Sequence, residues 1–514
     1  MRESFRQSML LLHSWLGLSA GWILFFVFLT GTTGFVRAEI GRWMRPELPM
    51  VAGTPSASEA LRVADNFLVQ NGANAEFWSI AFPGQRENDE LTVVWRETQR
   101  PSKRAVLDMS TGQPVQRTPR QTGGGHALYV MHYALHYMPR DAGVTFVGAG
   151  AMMMMISIFT GLVGHPSMKK DLTLRSGKGY ARWRSCHTLL GVVALPFFLV
   201  MTWSGLTFSL FTYMPTAQAA LFRDHEAMMR FNVEAYFPRD RSYKEADIVT
   251  PPSVGGLADV LSRAEALWGV GNVQGLRVEN RGRANMRVTA FTQRADTKGE
   301  KRVAFDGTTG EPLSVNGPRT ATAKILATLT GLHQAHFAAP YLRALYVACG
   351  LAGTALIGTG LVHWSMKRKA RGVNRMHPRL GLALVDRLNL ATVIGLPLAL
   401  AAYFWANRLL PVGMENRGPW EVHTMFLVWG AAFFYAGLRA QAYAWREMSA
   451  VASLAYGFIP VLNALTTDRH LGITVPAGDW GLAGIDLAAC AISFLFAALA
   501  CLIWHRPPAA TAAA

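Results

Sequence analysis

Histidines at the ends of apolar runs are the residues of this chain whose type and spacing suggest chemistry. GLVGHPSMKK at 161–170 and GLVHWSMKR at 360–368 each close an apolar run with a histidine, His165 or His363, followed by cations. His13 and His187 open two other apolar runs, in HSWLG and HTLLG. Ionisable residues within or at the edge of membrane spans are costly, so this set indicates a function.

A second group of histidines precedes the runs that end in His165 and His363. His132 and His136 are four residues apart and His333 and His336 are three apart, so each pair lies on one helical face. The 29 residues from His136 to His165 would span about 43 Å as a helix, close to a bilayer with its headgroups. The sequence therefore predicts two histidine layers, one at each membrane surface.

The histidines belong to an internal repeat. His13 recurs as His187 after 174 residues, and Leu135-His136 recurs as Leu332-His333 after 197. His165 recurs as His363 after 198 residues, which is also the spacing from Asp108 to Asp306. With an insertion of about twenty residues in the second copy, this is one duplicated unit.

Composition predicts a membrane protein. Half of the 514 residues are hydrophobic, mean hydropathy is +0.17, and long uncharged runs can cross ~30 Å of hydrocarbon. We predict an α-helical membrane bundle of about eight transmembrane helices with two small α+β modules outside it. The predicted segments are transmembrane helix 7–36, module 37–141, helix 142–165, basic loop 166–186, helix 187–214, module 215–343, helix 344–363, basic loop 364–387, and a four-helix extension, 388–505.

The distribution of charge predicts the orientation. The two basic loops carry +11 of the net charge of +17, because they hold thirteen Lys and Arg against Asp171 and Asp386. Such an excess in short loops marks the cytoplasmic side, so it is a topology signal and not a nucleic-acid surface. We expect both termini in the cytoplasm, both modules in the periplasm, and a multi-pass protein in a bacterial-type inner membrane, with the lipid bilayer as a partner.

Each predicted module starts with an amphipathic helix and continues as alternating strands. The helices are 56–70 and 257–268, and the strands are 91–97, 104–109, 287–292 and 301–305. DMSTGQP at 108–114 matches DGTTGEP at 306–312, each a turn in which glycine supplies a positive φ.

A helix followed by strands that end in Asp-x-x-Thr-Gly-x-Pro resembles the PepSY module. The tandem order of helix, module, helix over about 1–375 is similar to the PepSY-associated transmembrane proteins. That family includes inner-membrane iron-siderophore reductases that carry b haems. The resemblance implies a haem protein, and the extension is not part of the resembling core.

The histidine layers match such a function. Facing histidines from two helices can hold a haem iron axially inside a bundle, so we expect two b haems stacked across the membrane. His136 with His333 is the predicted outer pair, and the inner pair is either His13 with His187 or His165 with His363. His132 and His336 are further candidates. The one-residue offset between the two motif copies weakens the pairing of His165 with His363.

The expected activity is electron transfer from a quinol or a cytoplasmic reductase to a periplasmic ferric siderophore or a similar ferric chelate. No nucleophile or general acid is required for it. The alternative is a non-redox PepSY membrane scaffold with a binding, regulatory or transport-accessory role.

Overall fold

A computed structural model describes residues 4–48, 55–84, 90–98, 100–115, 119–165, 180–208, 215–224, 226–228, 255–292, 302–316, 321–370 and 379–504. The helices in chain order are α1 (Phe5–Gly34), α2 (Arg37–Trp43), α3 (Ala57–Asn71), α4 (Gly124–Ala134), α5 (Arg140–Gly164), α6 (Tyr180–Val193), α7 (Leu195–Phe208), α8 (Pro215–Leu221), α9 (Gly255–Trp268), α10 (Ala321–Gln334), α11 (Pro340–Ala370), α12 (Arg379–Val393), α13 (Gly395–Leu409), α14 (Arg417–Leu438), α15 (Gln441–Thr466), α16 (Leu471–Thr474) and α17 (Trp480–Trp504). The strands are β1 (Phe77–Ala81), β2 (Leu91–Arg96), β3 (Lys103–Leu107), β4 (Val273–Glu279), β5 (Arg287–Thr292), β6 (Arg302–Asp306) and β7 (Pro312–Asn316).

The chain divides into two compact units. The helical unit comprises Met1–Glu47, Pro119–Tyr213 and Pro340–Ala514, and the sheet unit comprises Leu48–Thr118 and Met214–Ala339. The prediction of a mostly helical membrane protein with a small antiparallel sheet is confirmed.

Six helices of the described chain are long and apolar enough to cross a membrane. They are α1, α5, α11, α15, α17 and the nearly continuous Gly381–Leu409, which joins α12 to α13. The α6–α7 pair is bent by 69° and counts as a seventh if it forms one span. The predicted count of eight is not confirmed, since α14 has 22 residues but is not among these helices. Its uncharged part is short for a span that needs ~20 apolar residues.

Several predicted boundaries differ from the structure. His187 lies inside α6 instead of opening a helix, because α6 begins at Tyr180 within the predicted basic loop. In the second copy, α11 continues past His363 to Ala370. The remainder of the two basic loops, 166–179 and 371–378, lies outside the described residues, as do the cations of the first motif copy.

The helical unit is built around α1. This helix packs against α4, α5 and α11, and α11 in turn packs against α6. The extension also packs on α1: the ring of Trp429 stacks on Phe26 with centroids 5.6 Å apart, and Nε1 of Trp22 donates to Oδ1 of Asn389 at 2.9 Å.

The sheet unit contains one antiparallel sheet of seven strands in the order β3-β2-β1-β4-β5-β6-β7. Strands from the two predicted modules therefore join edge to edge through β1 and β4, where Ile80 pairs with Leu276. α3 and α9 pack on this sheet. Apolar side chains from both chain segments form one core, so the segments do not form separate sheets.

Both predicted amphipathic helices are present as α3 and α9, and the four predicted strands are present as β2, β3, β5 and β6. Both predicted turns have the expected positive φ, at Gly112 (67°) and Gly310 (71°). In each turn the aspartate accepts hydrogen bonds from the two backbone N–H groups that follow two and three residues later.

Candidate functional site

His13 is held against α5 by a carbonyl and a glycine. Its Nδ1 lies 2.8 Å from the carbonyl oxygen of Ser157. One turn further along α5, a Cβ on Gly161 would lie 3.2 Å from Cε1 of the ring, tighter than most real contacts. Since a carbonyl oxygen only accepts, Nδ1 carries the proton and the lone pair is on Nε2.

His187 has the same arrangement in the second repeat. Its Nδ1 lies 2.8 Å from the carbonyl oxygen of Leu356 on α11, and a Cβ on Gly360 would lie 2.9 Å from its Cε1. The acceptors and the glycines of the two copies are both 199 residues apart, as the residue numbers show (356 − 157 and 360 − 161). The repeat therefore includes both the histidines and the carbonyl and glycine residues that each of them contacts.

The rings of His13 and His187 meet inside the helical unit. Their centroids are 6.1 Å apart and their planes are inclined by 69°. Imidazole–metal bonds are about 2.0–2.1 Å, so one metal atom held on a line between two imidazoles separates the ring centroids by roughly 6 Å. In the described part of the chain, all hydrogen bonds of these two rings use Nδ1, which leaves both Nε2 lone pairs as donors to a metal.

His132 is the third histidine that is held in this way, and it lies at the other end of α1. Its Nδ1 is 2.8 Å from the carbonyl oxygen of Val27, and a Cβ on Gly31 would lie 2.5 Å from the ring. Val27 is 14 residues beyond His13 on α1 (27 − 13), which corresponds to about 21 Å along the helix. Burial lowers the pKa of His132, so its ring is neutral near pH 7.

His136 lies in the loop between α4 and α5 and not beside His132 on one helix. Its flanking residues Leu135 and Tyr137 have φ values of 59° and 60°, which side-chain-bearing residues rarely adopt. The ring stacks on Phe426 of α14 with centroids 5.5 Å apart. Burial, and then the nearby His423, lower the pKa of His136.

His423 is a contact that the sequence did not predict. Its Nδ1 forms a short hydrogen bond with the hydroxyl of Tyr137, and Trp420 lies against it with centroids 5.4 Å apart. His423 lies outside the internal repeat. The positive φ of Tyr137, which places this hydroxyl, has no signal in a single sequence.

His333 and His336 belong to the sheet unit. His333 is near the end of α10, which stops before Ala335 with φ 51°, as α4 stops before Leu135. By this local structure His336 corresponds to His136, since each directly follows the residue with positive φ. The pairing of His136 with His333 stays a prediction.

His165 and His363 differ in their local structure. His165 is the first residue after α5, because Pro166 follows it and disfavours the helical conformation, whereas His363 is inside α11. Both lie near enough to His187 to interact with it electrostatically. Their pairing also stays a prediction.

In the described residues, no three His, Cys, Asp or Glu side chains form a cluster that could hold a metal ion by themselves.

Residues 10–367 match the family model described as the PepSY-associated TM region. The chain belongs to this family. A comparison with curated proteins finds no match. The PepSY-associated TM region contains all eight predicted site histidines, from His13 to His363, and ends before the extension.

The extension nevertheless reaches the PepSY-associated TM region through buried polar contacts. Glu421 of α14 accepts hydrogen bonds from the hydroxyl of Thr122 and the backbone N–H of Gly123, at 2.6 and 3.0 Å. Arg408 of α13 donates to the carbonyl oxygen of Trp43 at 2.6 Å and lies over its ring. Trp43 also donates from Nε1 to Asp486 of α17 at 3.0 Å. The extension is thus packed into the same core.

Proposed function

We propose that this protein is a b-type haem protein that carries electrons across the membrane to reduce a periplasmic ferric chelate, such as a ferric siderophore. The observation that supports the proposal best is the repeated arrangement of His13 and His187. Each ring is oriented by a carbonyl and a glycine, and the two rings face each other at 6.1 Å.

The residues fit this cofactor at the inner layer. The ring centroids of His13 and His187 are separated by a distance that suits one iron between two imidazoles. Their Nδ1–H groups donate to carbonyl oxygens, which fixes each ring and makes Nε2 a stronger donor. When bound there, haem supplies a reversible one-electron carrier, and neither histidine has to gain or lose a proton.

A second cofactor at the His132 layer would continue the path. His132 is neutral, held by the same kind of contacts, and displaced by about 21 Å along α1. We propose His132 as a ligand of this outer cofactor.

The proposed reaction is the transfer of one electron from a quinol or a cytoplasmic reductase to ferric iron, which becomes ferrous. Hard oxygen ligands bind ferrous iron more weakly than ferric iron, so the transfer favours release of the metal. The resemblance to siderophore reductases supports this substrate class, and the predicted orientation places the outer layer towards it.

Variants of the inner histidines test the assignment. Purified His13→Ala and His187→Ala proteins should each lose about half of the bound haem, and the remainder should be bis-histidine haem. His126→Ala is the control, since His126 precedes His132 on α4 but lies against Tyr129 and not in a carbonyl–glycine arrangement. Unchanged haem content in both inner variants would remove the basis of the proposal.

The second candidate is a non-redox scaffold or transport-accessory protein. The observation that bears on it is the 69° bend between α6 and α7, because broken helices recur in transporters. A protein of this kind would be purified without haem and would show no histidine-dependent absorption.

A further inference from the structure

The start of α4 is held by two helices of the extension. The hydroxyl of Tyr403 on α13 donates to the carbonyl oxygen of Gly124 at 2.8 Å. Glu421 on α14 accepts from the backbone N–H of Gly123 and from Thr122. The N–H group of Gly123 is one of the donors that a helix start leaves without an intrahelical partner, so its bond to Glu421 stabilises the helix end directly. The bond from Tyr403 is a second contact at the same end.

The groups that make these contacts are themselves fixed. Tyr403, Glu421 and Arg417 are fully buried. Arg417 forms an ion pair with Glu421 at 2.5 Å. The side-chain amide of Asn407 donates to Glu421 at 2.7 Å and to the hydroxyl of Thr122 at 3.2 Å. Removing Arg417 or Glu421 would leave the charge of the other buried without compensation.

The glycines of the 123–125 run allow this close approach. A Cβ on Gly123 would lie 2.8 Å from the Tyr403 hydroxyl, and a Cβ on Gly125 would lie 2.2 Å from the carbonyl oxygen of Arg37. Gly124 has φ 55°. These three glycines therefore form a close contact surface and not a flexible loop.

The other end of α4 also meets the extension. His136 stacks on Phe426, and the hydroxyl of Tyr137 is hydrogen-bonded to His423, both on α14. Between the two held ends lies His132, whose ring contacts α1.

We propose that the extension is a clamp on α4 and that Tyr403 and Glu421 are positioning residues for His132. The link to haem rests on the proposed function, whereas the clamp itself does not. The extension thereby has a role in the histidine layer although it contributes no ligand.

Tyr403→Phe is the test variant, because it removes one hydroxyl and little volume. Tyr456→Phe is a matched control: Tyr456 is also buried in the extension and its hydroxyl donates to a backbone carbonyl, that of Pro397, at 2.9 Å. Hydrogen–deuterium exchange of the full-length protein in detergent follows the amides of α4. We expect exchange up to about tenfold faster in Tyr403→Phe than in wild type, the factor that corresponds to one hydrogen bond, and no change in Tyr456→Phe.

Glu421→Gln provides a second variant. It retains the shape of the side chain but weakens its hydrogen bonds with the hydroxyl of Thr122 and the backbone N–H of Gly123. Equal exchange of α4 in wild type, Tyr403→Phe and Glu421→Gln would overturn the clamp. This readout does not need haem, so it decides the clamp even if the wild-type protein carries none.

Haem binding is the second readout. If wild type contains haem, the affinity of the outer site should fall by ~10–100-fold in Glu421→Gln while the inner site is unchanged. Wild type without haem would contradict the proposed function alone. Faster exchange of α4 with unaltered haem affinity would show that the extension stabilises the helix but does not position His132.

Discussion

Three of the candidate histidines share one local arrangement. His13, His187 and His132 each face a carbonyl and a glycine four residues further along the partner helix. A ring that packs closely against a glycine is held in place without a second polar contact. The same residue in a solvent-facing position would rotate.

Substitution of one of these glycines should affect haem more than fold. In Gly360→Ala the new methyl group would lie 2.9 Å from the His187 ring, which has to shift. We expect haem affinity at the inner site to fall by roughly tenfold, measured by titration of the apoprotein. Gly17→Ala is the control, since a Cβ there has nothing within 4 Å. Equal affinities of the two variants would argue against the orienting role.

The sequence predicted the histidines but not their orientation. The repeat identified His13 with His187 as one alternative, and the structure brings these two rings together. The carbonyl–glycine pairs could have been found by asking which glycines are repeated with the same spacing. The contact of Tyr137 with His423 depends on left-handed backbone at Leu135 and Tyr137, which no local pattern indicates.

Among the elements, the two Asp turns show how local sequence determines local structure. Hydrogen bonds from Ser110 and then Thr111 hold the pKa of Asp108 below its usual range. A lowered pKa means that ionised Asp108 stabilises the sheet unit above about pH 4, and that this contribution is lost as pH falls through the lower, folded-state pKa.

Asp108→Asn should therefore reduce the free energy of unfolding by roughly 0.5–1 kcal/mol at neutral pH, and the difference from wild type should vanish in acid. Thermal unfolding of the purified protein at several pH values measures it. Asp259→Asn, at an exposed position on α9, serves as the control. If the stability difference between wild type and Asp108→Asn grew as the pH fell, ionised Asp108 would not be the stabilising form.

The junction of β1 with β4 was not predicted, because it joins residues almost 200 positions apart and no sequence period reports it. Its packing is close: a Cβ on Gly275 would lie 2.2 Å from the carbonyl oxygen of Ile80. Gly275→Ala should destabilise the sheet unit by about 1–3 kcal/mol through overpacking. Gly256→Ala, where a Cβ meets nothing within 4 Å, should leave thermal unfolding nearly unchanged. Equal melting temperatures of Gly275→Ala and Gly256→Ala would show that β1 and β4 can move apart to accommodate the methyl group.

At the scale of the whole molecule, the extension is part of the helical unit. Glu421→Ala should cost about 3–5 kcal/mol, because Arg417 stays buried without its partner. Glu447→Ala removes the partly exposed pair with Arg439 and should cost at most about 1 kcal/mol. Thermal unfolding in detergent compares them. Similar losses of unfolding free energy in the two variants would mean that the buried network does not hold the extension in the helical unit.

Hydropathy predicted the membrane class and most of the spans, since length and apolarity suffice for that. It did not predict the bend between α6 and α7 or the packing of the extension on α1. Those features come from contacts between distant residues, such as Trp429 with Phe26 and Glu421 with Gly123.

The optical spectrum of the purified wild-type protein, oxidised and then reduced with dithionite, tests the central claim most directly. The account predicts a Soret band and the sharp α band of reduced bis-histidine haem, with about two haems per chain. A protein expressed with sufficient haem and purified without these bands would contradict it.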